Sequence, residues 1–543
     1  MIGAGALLVA ALAAPLAMLA LCLSARLRTG MPSWLAIAPI PALAAALLAP
    51  GSTPLVLFPS PFRMTLTLDR SAAMLLGPAA LLWIIAGAYA SASLRDQPNA
   101  GRFAEWWLLT LAGNIGVFLT ADLVSFYLTY SVVSLAAYGL IVHDGGSAGR
   151  RAGAIYLALA VLGEALLLMA FVLLADGMPP GGFLIRDAVA VLPTSPWCGA
   201  ALVLLLLGFG LKIGLVPGHV WMPLAYRAAP IPAAAVLSGA AVKAGIIGLI
   251  RFLPLGVAMP GWGEALAGAG MLSAFYGVAV GITQDNPKTV LAYSSISQMG
   301  LLAAALGIGW AAGDAGAVLG TSFSAAHHIL VKGALFLAIG AAASTRLRSW
   351  PVLLPAALLA LGLAGLPLTG GALAKLAVKA QFGSGAAAIV TSLSAVGSAL
   401  LMLHFLRRLA AIRSLPPTAL KAAGLVWPWL AVALTALAIP WAIFPLAGSG
   451  IRLDALGPEA LLSNLWPVLL GGIFYIGLRR WQSWLPAIPE GDIVVAGERA
   501  AHSAIASGEA IEHADAWLRQ WPVACLSLLG VAILLGAAML AWR

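Results

Sequence analysis

Charge is what this chain has least of: only 9% of its 543 residues are Asp, Glu, Lys or Arg, against about 25% in an ordinary soluble protein. With 62% hydrophobic residues and a mean hydropathy of +1.01, no water-soluble fold of this size could cover its apolar surface. The solvent must be lipid. Cysteine is almost as scarce, with Cys22, Cys198 and Cys525 lying far apart in or beside apolar runs. That spacing excludes an iron–sulfur or zinc framework, and no dinucleotide-binding fingerprint follows a strand pattern. No cofactor is expected, and a redox enzyme complete in this one chain is disfavoured. Period-two alternation is missing, which argues against a barrel. The first apolar run, Ile2 to Leu23, has neither the basic start nor the clear cleavage site of a signal peptide and reads as a first span.

Apolar runs fill the chain. A span needs about 20 residues, and roughly sixteen runs qualify, centred near residues 13, 41, 81, 112, 132, 164, 207, 242, 272, 299, 329, 366, 397, 434, 470 and 531. Lipid cannot satisfy backbone groups, so each run is expected to be helical. The net charge of +10 is not a nucleic-acid signal, because the cations sit in short alternate loops. One set of loops carries Arg26 and Arg28, Arg95 and Arg102, Arg150 and Arg151, Arg227, Lys288, Arg346 and Arg348, Arg407 to Lys421, and Arg479 and Arg480. The other set holds mainly Arg63, Arg70, Arg186 and Arg452. The positive-inside rule then places the N-terminus outside, in a bacterial-type inner membrane.

Two runs are interrupted. The seventh reads LLLLGFGLKIGLVPGHVWMP and the twelfth ALLALGLAGLPLTGGALAKLAVKA; each combines Pro and Gly with a lysine, Lys212 and Lys375. Broken helices at corresponding places in two halves point to an inverted-repeat transporter with a midplane site, whereas simple proline kinks are the plainer alternative. Near the end, the charged stretch 493–519 is too polar to span. At 1.5 Å per residue it would run about 40 Å along the membrane surface or as a cytoplasmic linker. A last span is expected from Val523 to Trp542.

Ionisable groups inside spans are costly and mark function by default. Glu164 lies in the sixth span, Lys212 in the seventh, Lys243 in the eighth, His327, His328 and Lys332 in the eleventh, Lys375 and Lys379 in the twelfth, and His404 in the thirteenth. Burial lowers a lysine pKa from about 10.4 towards neutrality, so such a side chain can load and release a proton; histidine titrates there already. His328 and Lys332 stand four apart on one helix face, within reach directly or through one water. For Lys379 and His404 a snorkelling or structurally paired role is the stronger reading, while Lys212 and Lys332 favour function. Tyr293, Ser294, Ser295, Ser297 and Gln298 read mainly as helix-packing glue.

From about residue 100 to 410 the chain resembles the antiporter-like subunits shared by respiratory complex I, Mrp-type sodium/proton antiporters and membrane-bound hydrogenases. The stretch LKIGLVPGHVWMPLAYRAAPIPAAAVLSGAAVKAG is similar to the family's seventh and eighth helices, with Lys212 at the central lysine and Lys243 at a lysine that some members carry. GITQDNPKTVLAYSSISQMG resembles the ninth-to-tenth junction. HHILVKGALFLAIG resembles the eleventh helix, with His328 and Lys332 in register, and GLPLTGGALAKL the broken twelfth, with Lys375 at its terminal lysine. The resemblance implies an all-α polytopic membrane protein of about 14 core helices. In it, two inverted five-helix repeats carry the broken helices 7 and 12, and C-terminal spans with a short surface helix follow. It divides the chain into accessory spans at 1–102, half-channels at 103–253 and 254–412, and a C-terminal part at 413–543.

The function implied is proton, or cation/proton, translocation as a subunit of a larger membrane complex, with Na+ or K+ as exchange candidates. One departure matters. The family usually carries a fifth-helix glutamate paired with the seventh-helix lysine, and Ser131 stands there. Either Glu164 supplies that charge, or this copy does not pump in the usual way. Ser324 likewise stands where some members have a second histidine. Two other roles stay open: energising a soluble partner, as in inorganic-carbon uptake, and a non-conducting structural subunit.

Overall fold

The computed structural model describes residues 3–58, 63–95, 97–178, 182–344, 350–412, 419–447, 456–480, 485–498 and 500. Residues Met1–Ile488 form one unit, and Pro489–Arg543 a second. The expected surface helix, 493–519, falls mostly outside the described residues, and the last span entirely so.

The chain is an all-helical, polytopic membrane protein. Eleven helices among the described residues are long and apolar enough to cross a bilayer. They are Ala4–Leu21, Arg70–Ser93, Leu123–Ile141, Ser147–Asp176, Ile231–Phe252, Pro260–Gly281, Pro287–Ala312, Ala317–Ser344, Ala386–Ala410, Ala423–Ala447 and Pro458–Arg480, and the expected fourth span forms the helix Ala100–Leu119. The second run behaves differently. After the charged helix Ala25–Gly30 it forms a 3-10 turn Met31–Trp34 and a separate short helix Ile40–Leu48. Pro39 and Pro41 lie at the start of the second piece and cannot donate to a ladder running in from the first, so the apolar stretch is interrupted before them.

Both interrupted runs are broken as expected. The seventh consists of Cys198–Ile213 and Trp221–Ala228. Gly214, in the left-handed region at φ +74°, ends its first half, and its N–H bonds back to Gly210, a glycine-closed C-terminus. The twelfth consists of Trp350–Leu363 and Gly370–Phe382. Gly365 has φ +93° and Leu368 has φ +65°. A leucine held there costs about 1–3 kcal/mol, strain of a kind that concentrates at functional sites.

At one end of the bundle, a two-stranded hairpin, Leu55–Leu57 with Met64–Leu66, ties helix ends together. Asp122 caps Leu123–Ile141 by accepting from the Ser125 N–H at 2.8 Å, and it also accepts from Thr65 at 2.7 Å. Arg251, at the end of the Lys243 helix, donates to the Val117, Phe118 and Thr120 carbonyls at 3.0, 2.7 and 2.5 Å. It reaches Asp69 at 3.2 Å as well. A cation therefore closes the carbonyl end of Ala100–Leu119.

Small residues let Pro260–Gly281 and Pro287–Ala312 lie almost backbone to backbone. A Cβ added at Gly270 would fall 2.5 Å from the Gly300 carbonyl and 2.6 Å from the Ala304 nitrogen. Those are backbone atoms and cannot rotate away. Gly270→Val is expected to cost at least the 1–3 kcal/mol typical of overpacking. Thermal unfolding of the purified protein in detergent checks this, and an unchanged midpoint would show that the helices separate freely.

Candidate functional site

The ionisable side chains fall into three groups. The first is built by three helices. Leu123–Ile141 supplies Tyr130, Ser131 and Ser134, Ser147–Asp176 supplies Glu164, and Cys198–Ile213 supplies Lys212. Glu164 and Lys212 are buried. Ser131 donates its hydroxyl to Glu164 Oε2. Lys212 Nζ donates to Ser134 Oγ at 2.7 Å and lies 5.5 Å from the Tyr130 ring centre. The sixth-span carboxylate thus sits against the serine where the related family carries glutamate, and a serine hydroxyl takes the lysine. Beside them is a cavity of about 20 Å³, bordered by Tyr130, Ser134, Tyr156, Lys212 and Trp221, room for about one water.

The second group lies at the centre. Leu237–Ala241 widens into a π turn one residue before Lys243, and single π turns collect at functional sites. Lys243 Nζ meets His328 Nδ1 at 2.6 Å and the Ser238 carbonyl at 3.2 Å. Lys332 Nζ donates instead to the Leu291 carbonyl at 2.9 Å. Lys243 and Lys332 have no solvent exposure at all. The four-residue spacing of His328 and Lys332 is present, but the 2.6 Å partner of His328 comes from another helix. Beneath the π turn, Trp83 Nε1 donates to Asn114 at 2.9 Å, and Asn114 Nδ2 to the Ala240 carbonyl at 3.4 Å. Gly245 allows the Lys212 helix close: a Cβ there would stand 3.2 Å from Lys212 Cβ. The first and second groups therefore share a helix contact.

The third group surrounds a cavity of about 860 Å³. Lys375, His327, His328 and Ser324 line it, as do the exposed Lys379 and Glu459. Gly365 makes room for Lys375, because a Cβ at that position would come within 2.8 Å of Lys375 Cδ. Ser324 Oγ donates to the Ala374 carbonyl at 3.1 Å, fastening the eleventh span to the broken twelfth. His328 borders this cavity; its Nδ1 pairs with Lys243 and its Nε2 is buried without a hydrogen-bond partner. One ring joins the second group to the third.

His404 stands apart from the row. Its Nε2 pairs with the Gln284 carbonyl at 2.7 Å, near the Asp285–Arg408 ion pair that ties the thirteenth span to the ninth-to-tenth junction. Ser134 and Glu459 escaped sequence reasoning. Ser134 could have been found from Ser131, since residues three apart share a helix face. Glu459 gave no signal, because it lies about 80 residues from Lys379. Among the described residues no cluster of His, Cys, Asp or Glu is arranged to hold a metal.

Residues 120–402 match the family described as NADH:quinone oxidoreductase/Mrp antiporter, transmembrane. The chain belongs to this family. Hydrogenase-4 component B of Escherichia coli is 29% identical over 308 residues, 54% of this chain and 45% of that protein. NADH-quinone oxidoreductase subunit N of Desulforudis audaxviator is 32% identical over 301 residues, 52% and 57% of the two chains. An Na(+)/H(+) antiporter subunit of Alkalihalophilus pseudofirmus is 30% identical over 289 residues, also 52% and 57%. This member of the antiporter family spans about half the length of the curated relatives it matches. An Mrp complex from Dietzia sp. shares its fold, with a TM-score of 0.76 and 23% identity over 99% of this chain and 63% of that one. A membrane-bound sulfane sulfur reductase, an archaeal respiratory complex, does so with a TM-score of 0.66 and 20% identity over 86% and 99%. All three groups of ionisable residues lie within the family match, apart from Glu459 at the cavity mouth.

Proposed function

We propose that this antiporter-family subunit carries protons across a bacterial-type inner membrane, as part of a larger complex of membrane subunits. The observation that carries the reading is the Lys243–His328 contact at 2.6 Å. It joins the central lysine to a cavity of about 860 Å³ around Lys375, and the helix that carries Lys243 packs at Gly245 against the helix of Lys212. Lys332 lies on the His328 helix, with its ammonium on the Leu291 carbonyl at 2.9 Å. On the topology drawn from loop charge, the cavity mouth at Lys379 and Glu459 faces outward. Each stop is a group that can hold one proton, and the stops are spread over several spans. Glu164 provides the negative charge that position 131 lacks, which favours conduction over a purely structural role. Na+ or K+ is the exchange partner in an antiport cycle.

The test is a flux measurement on the full chain, purified with the membrane partners that accompany it and reconstituted with an internal pH dye. A pH change in answer to an imposed potential or an alkali-cation gradient is expected. No pH change under any gradient would contradict the proposal.

A further inference from the structure

The three helices of the first group leave an unusual arrangement at its centre. Lys212 points its ammonium at a hydroxyl, Ser134 Oγ, at 2.7 Å. Glu164 Oε2 takes the hydroxyl of Ser131, while Oε1 is buried with no partner. Ser131 and Ser134 stand three apart on one face of Leu123–Ile141, so the residue that holds Lys212 lies one turn from the residue that holds the Glu164 carboxylate. The Ser134 backbone is pinned, because Tyr156 OH donates to its carbonyl at 2.6 Å. Ser134 itself is almost completely buried.

We propose that Ser134 is a proton-relay residue whose hydroxyl bridges Lys212 and Glu164 in place of a direct lysine–carboxylate pair. The proposal rests on the proton-transport reading above and deepens it. A hydroxyl has one donor and two acceptor positions. Accepting from Lys212 leaves the Ser134 proton free for a carboxylate oxygen. In the transfer, an N–H bond of the Lys212 ammonium breaks as an O–H bond forms at Ser134 Oγ. The original Ser134 O–H bond breaks at the same time, and its proton binds the Glu164 carboxylate. Lys212 ends neutral, Glu164 ends protonated, and Ser134 is neutral before and after. Ser131 holds the carboxylate in place through its second oxygen. A buried network of this kind is high-stakes, since every missing member leaves a polar group stranded. Alanine at 134 would do that while removing a single heavy atom.

The experiment compares proton flux per inserted molecule in the reconstituted full chain with its partners. Ser134→Ala is expected to lower flux at least tenfold, and Ser134→Thr, which keeps the hydroxyl, to restore most of it. A carboxylate moved to the fifth span should bypass the bridge. Ser131→Glu with Glu164→Ala should therefore conduct, and should continue to do so with Ser134→Ala added. Thermal unfolding of each variant separates lost transport from lost folding. Wild-type flux in Ser134→Ala, alongside a dead Lys212→Ala, would overturn the bridge and leave the transport reading intact. So would a Ser134→Ala loss that persists after the carboxylate is moved. Wild-type flux in Lys212→Ala would overturn the transport reading itself.

Discussion

Lys212→Ala is expected to abolish proton flux and leave the protein inserted and folded, with only a modest loss of stability. The two halves of that expectation have separate causes. The ammonium is nearly buried, and holding an ion out of water costs several kcal/mol that partners only partly return. Its hydrogen-bond partner is a serine hydroxyl at 2.7 Å and its other neighbour an aromatic ring at 5.5 Å, so alanine breaks no direct ion pair but leaves the buried Ser134 hydroxyl without its partner. Stability should fall by about 1–3 kcal/mol, the cost of one unmade buried hydrogen bond. Transport should be lost, because no other lysine stands in the first group. A positioned proton-transfer group is worth about 10²–10⁴ in rate, and a loss in that range is expected. Flux per inserted molecule and the unfolding midpoint in detergent check both halves. A variant that unfolds early while still conducting would reverse the assignment and make Lys212 structural.

The second large effect is expected at His328. This residue is the shared member of two groups, with Nδ1 on Lys243 and a place in the lining of the wide cavity. His328→Ala removes the 2.6 Å contact and leaves Lys243 with the Ser238 carbonyl at 3.2 Å. A carbonyl accepts a hydrogen bond but cannot pass a proton on, so the path stops at Lys243. Flux should fall by roughly 10²-fold. His328→Gln fills similar space and should be nearly as inactive, because an amide does not exchange protons in this range. Full flux in His328→Gln would show that the ring serves only to pack, with the proton moving around it through the cavity.

Much of this was legible in the sequence, for physical reasons. Spans are set by apolar length alone, and the Gly/Pro breaks in the seventh and twelfth announce themselves through backbone chemistry. Lysines and histidines well inside apolar runs avoid lipid by burial, as Lys212, Lys243, His328 and Lys332 do, whereas Lys379, near the end of its helix, is exposed. Contacts between helices were less accessible. His328 and Lys332 share a face, and spacing alone favours their pairing. The partner was decided elsewhere: Gly239 lets the Lys243 helix approach until a Cβ would lie 2.9 Å from the Ile329 carbonyl, and this brings Lys243 to His328.

The π turn at Leu237–Ala241 left no mark either, since none of its residues is peculiar to π geometry. The hydrogen bonds of Trp83 and Asn114 that support it come from distant segments. The second run reads as continuous because hydropathy does not register what proline does to a helix. The substitution at position 131 was visible. What the sequence could not supply was the geometry around it, with Ser131 against the carboxylate and Ser134 against the lysine.

The central claim is that a single buried route links the Lys212 cluster to the Lys375 cavity. Lys243 tests it most directly, because it has no solvent exposure and its ammonium meets His328, which borders the cavity, at 2.6 Å. The measurement is the decay of an imposed pH gradient in proteoliposomes holding the full chain and its partners, wild type beside Lys243→Ala. The route predicts that the gradient collapses with wild type and persists with Lys243→Ala at equal insertion and equal thermal stability. Collapse at the wild-type rate in both would contradict it.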